Sequence, residues 1–215
     1  LVLGLSFGPG GADIVHADKR GTTMPKGLDK TINGIDPLDG SRHIITDSLS
    51  CVPGSTIQIS ATGTTPTTLT LKNLDFIGRN YYGMVSNTDV ANNSVCTVVI
   101  DNVNYSGPQS AFLRRSTYHI KDSTFLIGSY NGTSCTSNEV AECNRLILEG
   151  SVSISSESST VSGFWFANAD PVLSVMPGAI VDIELKNSYL IYQDGSGAVE
   201  TTFGAGSKTT IPTAR

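Results

Sequence analysis

Charge is scarce in this chain of 215 residues: Asp, Glu, Lys and Arg supply only 15% of it, against a usual quarter or so. Basic residues are fewer still than acidic ones, and the net charge is −5. A protein that neutralises phosphates needs a Lys/Arg surplus, so nucleic acid and anionic membranes are excluded as expected partners. The seven Lys and seven Arg are scattered apart from Lys19-Arg20 and the one Arg pair, Arg114-Arg115. No apolar run approaches the roughly 20 residues of a membrane-spanning helix. The opening Leu1-Val2-Leu3-Gly4-Leu5 is too short for the apolar region of a signal peptide. The chain does not begin with Met, as expected of an excised segment or a processed product. No two cysteines form a C-x-x-C pair, and His16, His43 and His119 lie far apart, so neither a metal site nor a cofactor is expected.

What is abundant is small and polar. Ser (26), Thr (23), Gly (22) and Asn (13) together make up about 39% of the chain, and apolar residues another 39%. That is enough apolar matter for a core. The mixture favours many short strands and turns over helices, which excludes a coiled coil and a helical bundle. The four cysteines are Cys51, Cys96, Cys135 and Cys143. An even number fits an oxidising compartment. Cys135 and Cys143 enclose a short polar loop and are the first expected disulfide, with Cys51 and Cys96 the remaining pair; four buried free thiols are the alternative.

Alternating apolar phrases recur from Cys51 onward. Leu69-Thr70-Leu71-Lys72-Asn73-Leu74-Asp75-Phe76, Val98-Val99-Ile100-Asp101-Asn102-Val103-Asn104-Tyr105 and Tyr118-His119-Ile120-Lys121-Asp122-Ser123-Thr124-Phe125 share one skeleton. Leu146-Ile147-Leu148-Glu149-Gly150 opens a fourth and Ile183-Glu184-Leu185-Lys186-Asn187 a fifth. A second phrase runs from Val52-Pro53-Gly54 to Ile59, again from Met176-Pro177-Gly178 to Ile183, and more weakly from Gly204 to Ile211. Pro-Gly makes a turn and the alternation after it makes a strand.

Successive skeletons lie 29, 20, 28 and 37 residues apart. Repeats of that size indicate stacked coils, and these intervals are too short and uneven for propeller blades. A parallel β-helix tolerates such spacing, because insertions become loops on a constant coil. Equivalent residues of successive coils then lie roughly 4.8 Å apart. Leu71, Ile100, Ile120, Leu148 and Leu185 are expected to stack inside, and Phe76, Tyr105 and Phe125 to form an aromatic column. Asn73, Asn102, Asp122, Gly150 and Asn187 are expected at a corner, where Asn, Asp and Gly tolerate a left-handed backbone. A β-sandwich is the alternative. The fold expected is an all-β, right-handed parallel β-helix (a β-solenoid) forming a single domain over residues 11–215. Residues 11–50 lack the repeat and are read as an irregular N-terminal cap and first coil, residues 51–211 as the repeated coils, and residues 1–10 as a tag or linker. Residues 134–146 are open to a short helix.

Coils of this kind can carry polysaccharide lyases, which need clustered carboxylates for calcium and a basic residue to take a proton. Asp75, Asp101 and Asp122, with Arg114 or Arg115, are the candidates. They fall singly in different columns, Asp101 among Lys72, Lys121 and Lys186, which makes a poor calcium site. His119 sits on a strand beside two inward residues and reads as a surface histidine. Side chains outside the ladder fit ligand contact better: Tyr81, Tyr82, Trp165 within Phe164-Trp165-Phe166, and Arg114 and Arg115. Aromatics stack on sugar rings and Arg offers a fork of donors; the competing role of these aromatics is to complete the core or cover a coil end.

Leu71–Phe76, Asn80-Tyr81-Tyr82-Gly83 and Ile100–Gln109 resemble the pectate-lyase-like adhesive domain of Gram-positive bacterial cell-surface proteins. The resemblance covers roughly residues 51–211 and is most specific over 69–109. It implies a right-handed β-helix without catalytic residues, serving as an adhesin for host or matrix glycans or glycoproteins. The four cysteines depart from that pattern. The expected function is therefore a non-catalytic, extracellular, cell-wall-associated binding module of a larger surface protein, monomeric as an isolated domain. It would present loops near 79–95, 106–117, 128–145 and 155–170. A lyase or hydrolase acting on uronic-acid polymers and a structural stalk are the alternatives.

Overall fold

The computed structural model describes residues 22–24, 29–35, 40–46, 57–59, 66–78, 83–87, 96–128, 139–156, 161–166, 169–186, 189–193 and 196–211. All named elements among them are strands. They run β1 (Thr22–Met24), β2 (Asp29–Asn33), β3 (Ile44–Thr46), β4 (Ile57–Ile59), β5 (Thr67–Ile77), β6 (Val85–Asn87) and β7 (Cys96–Gly107). There follow β8 (Ala111–Phe112), β9 (Thr117–Lys121), β10 (Thr124–Ile127), β11 (Glu139–Glu142), β12 (Arg145–Glu149) and β13 (Ser151–Ser156). The last are β14 (Ser162–Phe166), β15 (Val172–Val175), β16 (Ile180–Leu185), β17 (Ile191–Gln193), β18 (Glu200–Phe203) and β19 (Lys208–Thr210).

Pairing is parallel between every two of these strands that are neighbours in a sheet. A 7-stranded sheet runs β1-β4-β6-β8-β11-β14-β17. A 12-stranded sheet bends into two ladders, because the long strands β5 and β7 pass through its corner and belong to both. The first ladder is β2-β5-β7-β9-β12-β15-β18 and the second is β3-β5-β7-β10-β13-β16-β19. Each coil thus contributes one segment to each of three faces. The molecule is a parallel β-helix, as its repeats predict. Its first rungs, β1, β2 and β3, already lie in the region without a sequence repeat; residues 1–10 lie outside the described residues.

The corner explains the skeleton. Asn73, Asn102 and Asp122 have φ of 53°, 55° and 45°, and Gly150 has 67°. One left-handed residue adds a step to the strand, as a bulge does, so the inward set shifts from Leu69 and Leu71 to Leu74 and Phe76. The same shift takes Val98 and Ile100 to Val103 and Tyr105. Side chains at this corner pair along the axis: Asn73 Nδ2 donates to Asn33 Oδ1 (3.0 Å) and Asn102 Nδ2 to Asn73 Oδ1 (2.9 Å). Arg42 closes the row, donating to Asn102 Oδ1 at 3.1 Å. Asn187 lies outside the described residues.

Leu71, Ile100, Ile120 and Leu148 stack in register and are buried, each worth about 1.5–3 kcal/mol of transfer free energy. The fifth member of that column is Val175, not Leu185. Leu185 sits on the second ladder opposite Ser156, because in that coil the corner widens to Met176–Ala179 around Gly178 (φ 72°). For the same reason Lys186 does not join Lys72, Asp101 and Lys121, whose row continues to Glu149. Phe76, Tyr105 and Phe125 do form the expected column, with centroids 6.0 and 5.8 Å apart at tilted angles. The Pro-Gly phrases divide: 204–211 stacks on 176–183, whereas Ile57–Ile59 lies on the other sheet. Residues 139–142 and 145–149 are strands, not part of a helix.

The disulfide expectation is corrected. Cys96 and Cys143 are buried free thiols, so neither Cys51–Cys96 nor Cys135–Cys143 forms; Cys51 and Cys135 lie outside the described residues. Both described thiols face the dry core, where a cysteine behaves as a small apolar side chain. Burial pushes the Cys96 thiol up to about 11, against a hydrogen bond with Ser116. It raises Cys143 further, with the Glu142 charge adding to the effect.

The Asn corner gives a test. Asn102→Ala loses both the left-handed tolerance and the axial hydrogen bonds, whereas Asn102→Gly loses only the latter. We expect the Ala variant to be less stable than the Gly variant by about 1 kcal/mol in urea denaturation. Equal stability of the two would show that backbone strain at the corner is not what selects Asn.

Candidate functional site

The 7-stranded face has short strands with a clear inside and outside. Ile57, Val85, Ala111, Ala141, Phe164 and Ile191 follow one another inward. The two alanines leave room for Tyr118, which crosses from the first ladder and reaches Ser110 Oγ at 3.2 Å. Between these inward residues lies an outward row: Gln58, Ser86, Phe112, Glu142, Trp165 and Tyr192. The coil carrying Tyr192 closes tightly under Trp165, since a Cβ at Gly163 would meet Leu190 O at 1.7 Å.

Arg114 binds this row together. A hydrogen bond from Ser116 N to Leu113 O (2.8 Å) closes a turn with Arg114 and Arg115 at its centre. Arg115 takes the left-handed position (φ 58°) and is exposed, while Arg114 folds back over the strands. Its Nε donates to Glu142 Oε1. Its guanidinium carbon lies 5.1 Å from the centroid of Phe112 and 5.5 Å from that of Trp165, so the cation rests between two rings. Trp165 meets Tyr192 edge-on at 6.0 Å. The Arg114 side chain is 39% exposed and Tyr192 51%, whereas the Glu142 side chain is fully buried. Trp165 Nε1 is buried without a hydrogen-bond partner among the described residues. Glu139, at the start of the same strand as Glu142, is buried; desolvation pushes its carboxyl up to about 7, and Arg114 pulls partly against it.

Of the ligand-contact candidates, the structure brings Arg114 and Trp165 together and turns Arg115 away to the surface. Tyr81 and Tyr82 lie outside the described residues. Phe112, Glu139, Glu142 and Tyr192 were not expected at the site. The strands that carry them have two to four residues, too few for a repeat phrase, so the only available signal was outward alternation around Ala111, Ala141 and Ile191.

The lyase candidates are dispersed and engaged. Asp75 takes hydrogen bonds from Arg42 Nε (3.2 Å) and Asn104 Nδ2 (2.8 Å) on the second ladder. Asp101 lies on the first ladder, 3.6 Å from Lys72 Nζ. Asp122 holds the corner, accepting from Ser151 N at 2.9 Å. Among the described residues no group of three or more His, Cys, Asp or Glu side chains could hold a metal ion. His119 faces outward, with Nε2 2.9 Å from Glu149 Oε2. Glu149 is held below the usual carboxylate range, first by its hydrogen bond from Lys121.

No family model, curated protein or solved structure matches the chain, so its chemistry is read from these side chains. The titration of Glu139 gives a test. A carboxyl that titrates near 4.5 in the unfolded chain and near 7 in the fold keeps its proton longer when folded. The native state then binds more protons between those values, and stability falls as pH rises through that window and levels off above it. Glu139→Gln removes the charge. The variant should match the native protein below pH 4.5 and exceed its stability above pH 7, by up to roughly 3 kcal/mol. Chemical denaturation at both ends of the window checks this; a constant difference at all pH values would refute it.

Proposed function

We propose that the chain is a non-catalytic binding module of a larger extracellular surface protein, and that it holds polysaccharide or glycoprotein glycans at the outward row of the 7-stranded face. The observation that carries this reading is the convergence of Phe112, Arg114, Trp165 and Tyr192 on neighbouring rungs. Sugar rings present flat C–H faces to aromatic rings and hydroxyls to forked donors. Rungs repeat at about 4.8 Å along the axis, a spacing close to one sugar unit, so a glycan chain lying along the coils would meet several of these groups in turn.

The scaffold supports the same reading. A stack of coils keeps its strands fixed while side chains and loops vary, which suits recognition. The resemblance of residues 69–109 to adhesive domains points the same way, as does the low charge, which suits a surface that meets hydroxyl-rich ligands. A location at the cell wall and a monomeric isolated domain belong to this proposal.

A glycan array probed with the purified chain tests it. We expect binding to at least one glycan class, weakened about tenfold or more by Trp165→Ala, in line with an aromatic anchor worth 1.4 kcal/mol or above. Binding that survives Trp165→Ala and Tyr192→Ala unchanged would move the site elsewhere. Release of unsaturated or reducing sugars from uronic-acid polymers, lost on Asp75 or Arg115 substitution, would replace the module by a lyase.

A further inference from the structure

The charges of the outward row select among glycans. We propose that this site takes neutral saccharides and discriminates against acidic ones such as uronates and sialates; the proposal rests on the binding-module reading above. Among the described residues Arg114 is the only cation in the cluster formed with Phe112, Glu142, Trp165 and Tyr192, and its charge is already matched. Its Nε–H goes to the Glu142 carboxylate, whose side chain is fully buried. A carboxylate ligand competing for Arg114 would leave Glu142 as an uncompensated buried charge, a strongly unfavourable state. Glu139 begins the same strand on the side of Ala141, opposite Glu142, and supplies no second cation to the row. The whole chain adds a net charge of −5 to the repulsion of anions.

What the cluster offers instead suits hydroxyls. A guanidinium carries five N–H donors, and with Nε committed and the side chain 39% exposed, the remaining fork borders solvent beside two ring systems. Trp165 contributes its ring rather than its N–H, which is buried. Tyr192 adds an exposed phenol on the next rung. Donors without net positive charge, set among aromatic faces, recognise neutral sugars by shape and hydrogen bonding rather than by ion pairing.

The experiment compares the full chain against neutral hexasaccharides (of glucose, mannose, galactose and xylose) and against hexagalacturonate, by titration calorimetry. We expect at least one neutral probe to bind, hexagalacturonate to bind at least about tenfold more weakly, and neutral binding to change little between about 50 and 500 mM NaCl, since salt screens only charge pairing. Glu142→Gln frees the guanidinium and should raise the affinity for hexagalacturonate about tenfold or more. Should that variant fail to fold, the salt series on the native chain still decides. Hexagalacturonate binding as tightly as the best neutral probe, or neutral affinity falling steeply with salt, would overturn the proposal while leaving the module reading intact. No binding to any of these probes would overturn this proposal, whereas the module reading falls only if the glycan array also shows no binding.

Discussion

Every coil hydrogen-bonds to the next in parallel, residue over residue, and the period of two along a strand makes that register unforgiving. A slip by one residue would turn Leu71, Ile100, Ile120 and Leu148 to solvent and bring Lys72, Asp101, Lys121 and Glu149 inside. The fixed register also creates the outward rows, because whatever one coil presents is placed about 4.8 Å from its counterpart on the next. Opposite charges fall together in this way: Lys121 Nζ lies 3.1 Å from Glu149 Oε1. So do the rings of the 7-stranded face. Site and core are therefore consequences of the same backbone pairing.

Register in turn depends on the corner. The left-handed residue after Lys72, Asp101, Lys121 and Glu149 both bends the sheet and resets which side chains point inward. Asn is suited to it twice over, by its tolerance of positive φ and by an amide that can donate upward and accept from below. Asp122 and Gly150 keep the geometry but not the amide ladder, and there the carboxylate of Asp122 accepts from Ser151 N instead. Where the corner lengthens, at Met176–Ala179, the row ends and the alignment of Leu185 and Lys186 with the earlier coils fails.

This locates the boundary of what the amino-acid order makes legible. Strands long enough to hold two or three alternations, such as β5, β7 and β9, carry a phrase that can be aligned, and their inward columns follow from it. The corner was legible because only a few residue types accept its backbone. The third face was not, since strands of two to four residues such as β8, β11 and β17 hold too little periodicity to align. Glu142 misleads in particular. A glutamate reads as surface, and only its pairing with Arg114, 28 residues away, makes a buried position tenable. The first coil is similarly hidden, because Lys30 and Asn33 replace the apolar and charged members of the phrase. At the other end Phe203 continues the column of Leu148 and Val175 yet is 58% exposed. No further rung covers it among the described residues, so an inward position there is not a buried one.

The pairing of Arg114 with Glu142 is hard to account for by stability. Burying a carboxylate is costly, and a well-packed apolar pair of similar volume would hold the strands at least as firmly. Phe112 and Trp165, one rung to either side of Glu142, show that this row accommodates large apolar side chains. What the carboxylate adds is direction. It fixes one edge of the guanidinium, the two rings fix its faces, and the turn closed by Ser116 fixes the chain that carries it. A long flexible side chain at the surface ordinarily loses much rotamer freedom on binding a ligand. Here that loss is incurred in folding, so the orientation of Arg114 is set before any ligand arrives. An arrangement that gives up stability for an ordered, charge-balanced donor beside aromatic rings is what the proposed binding role requires.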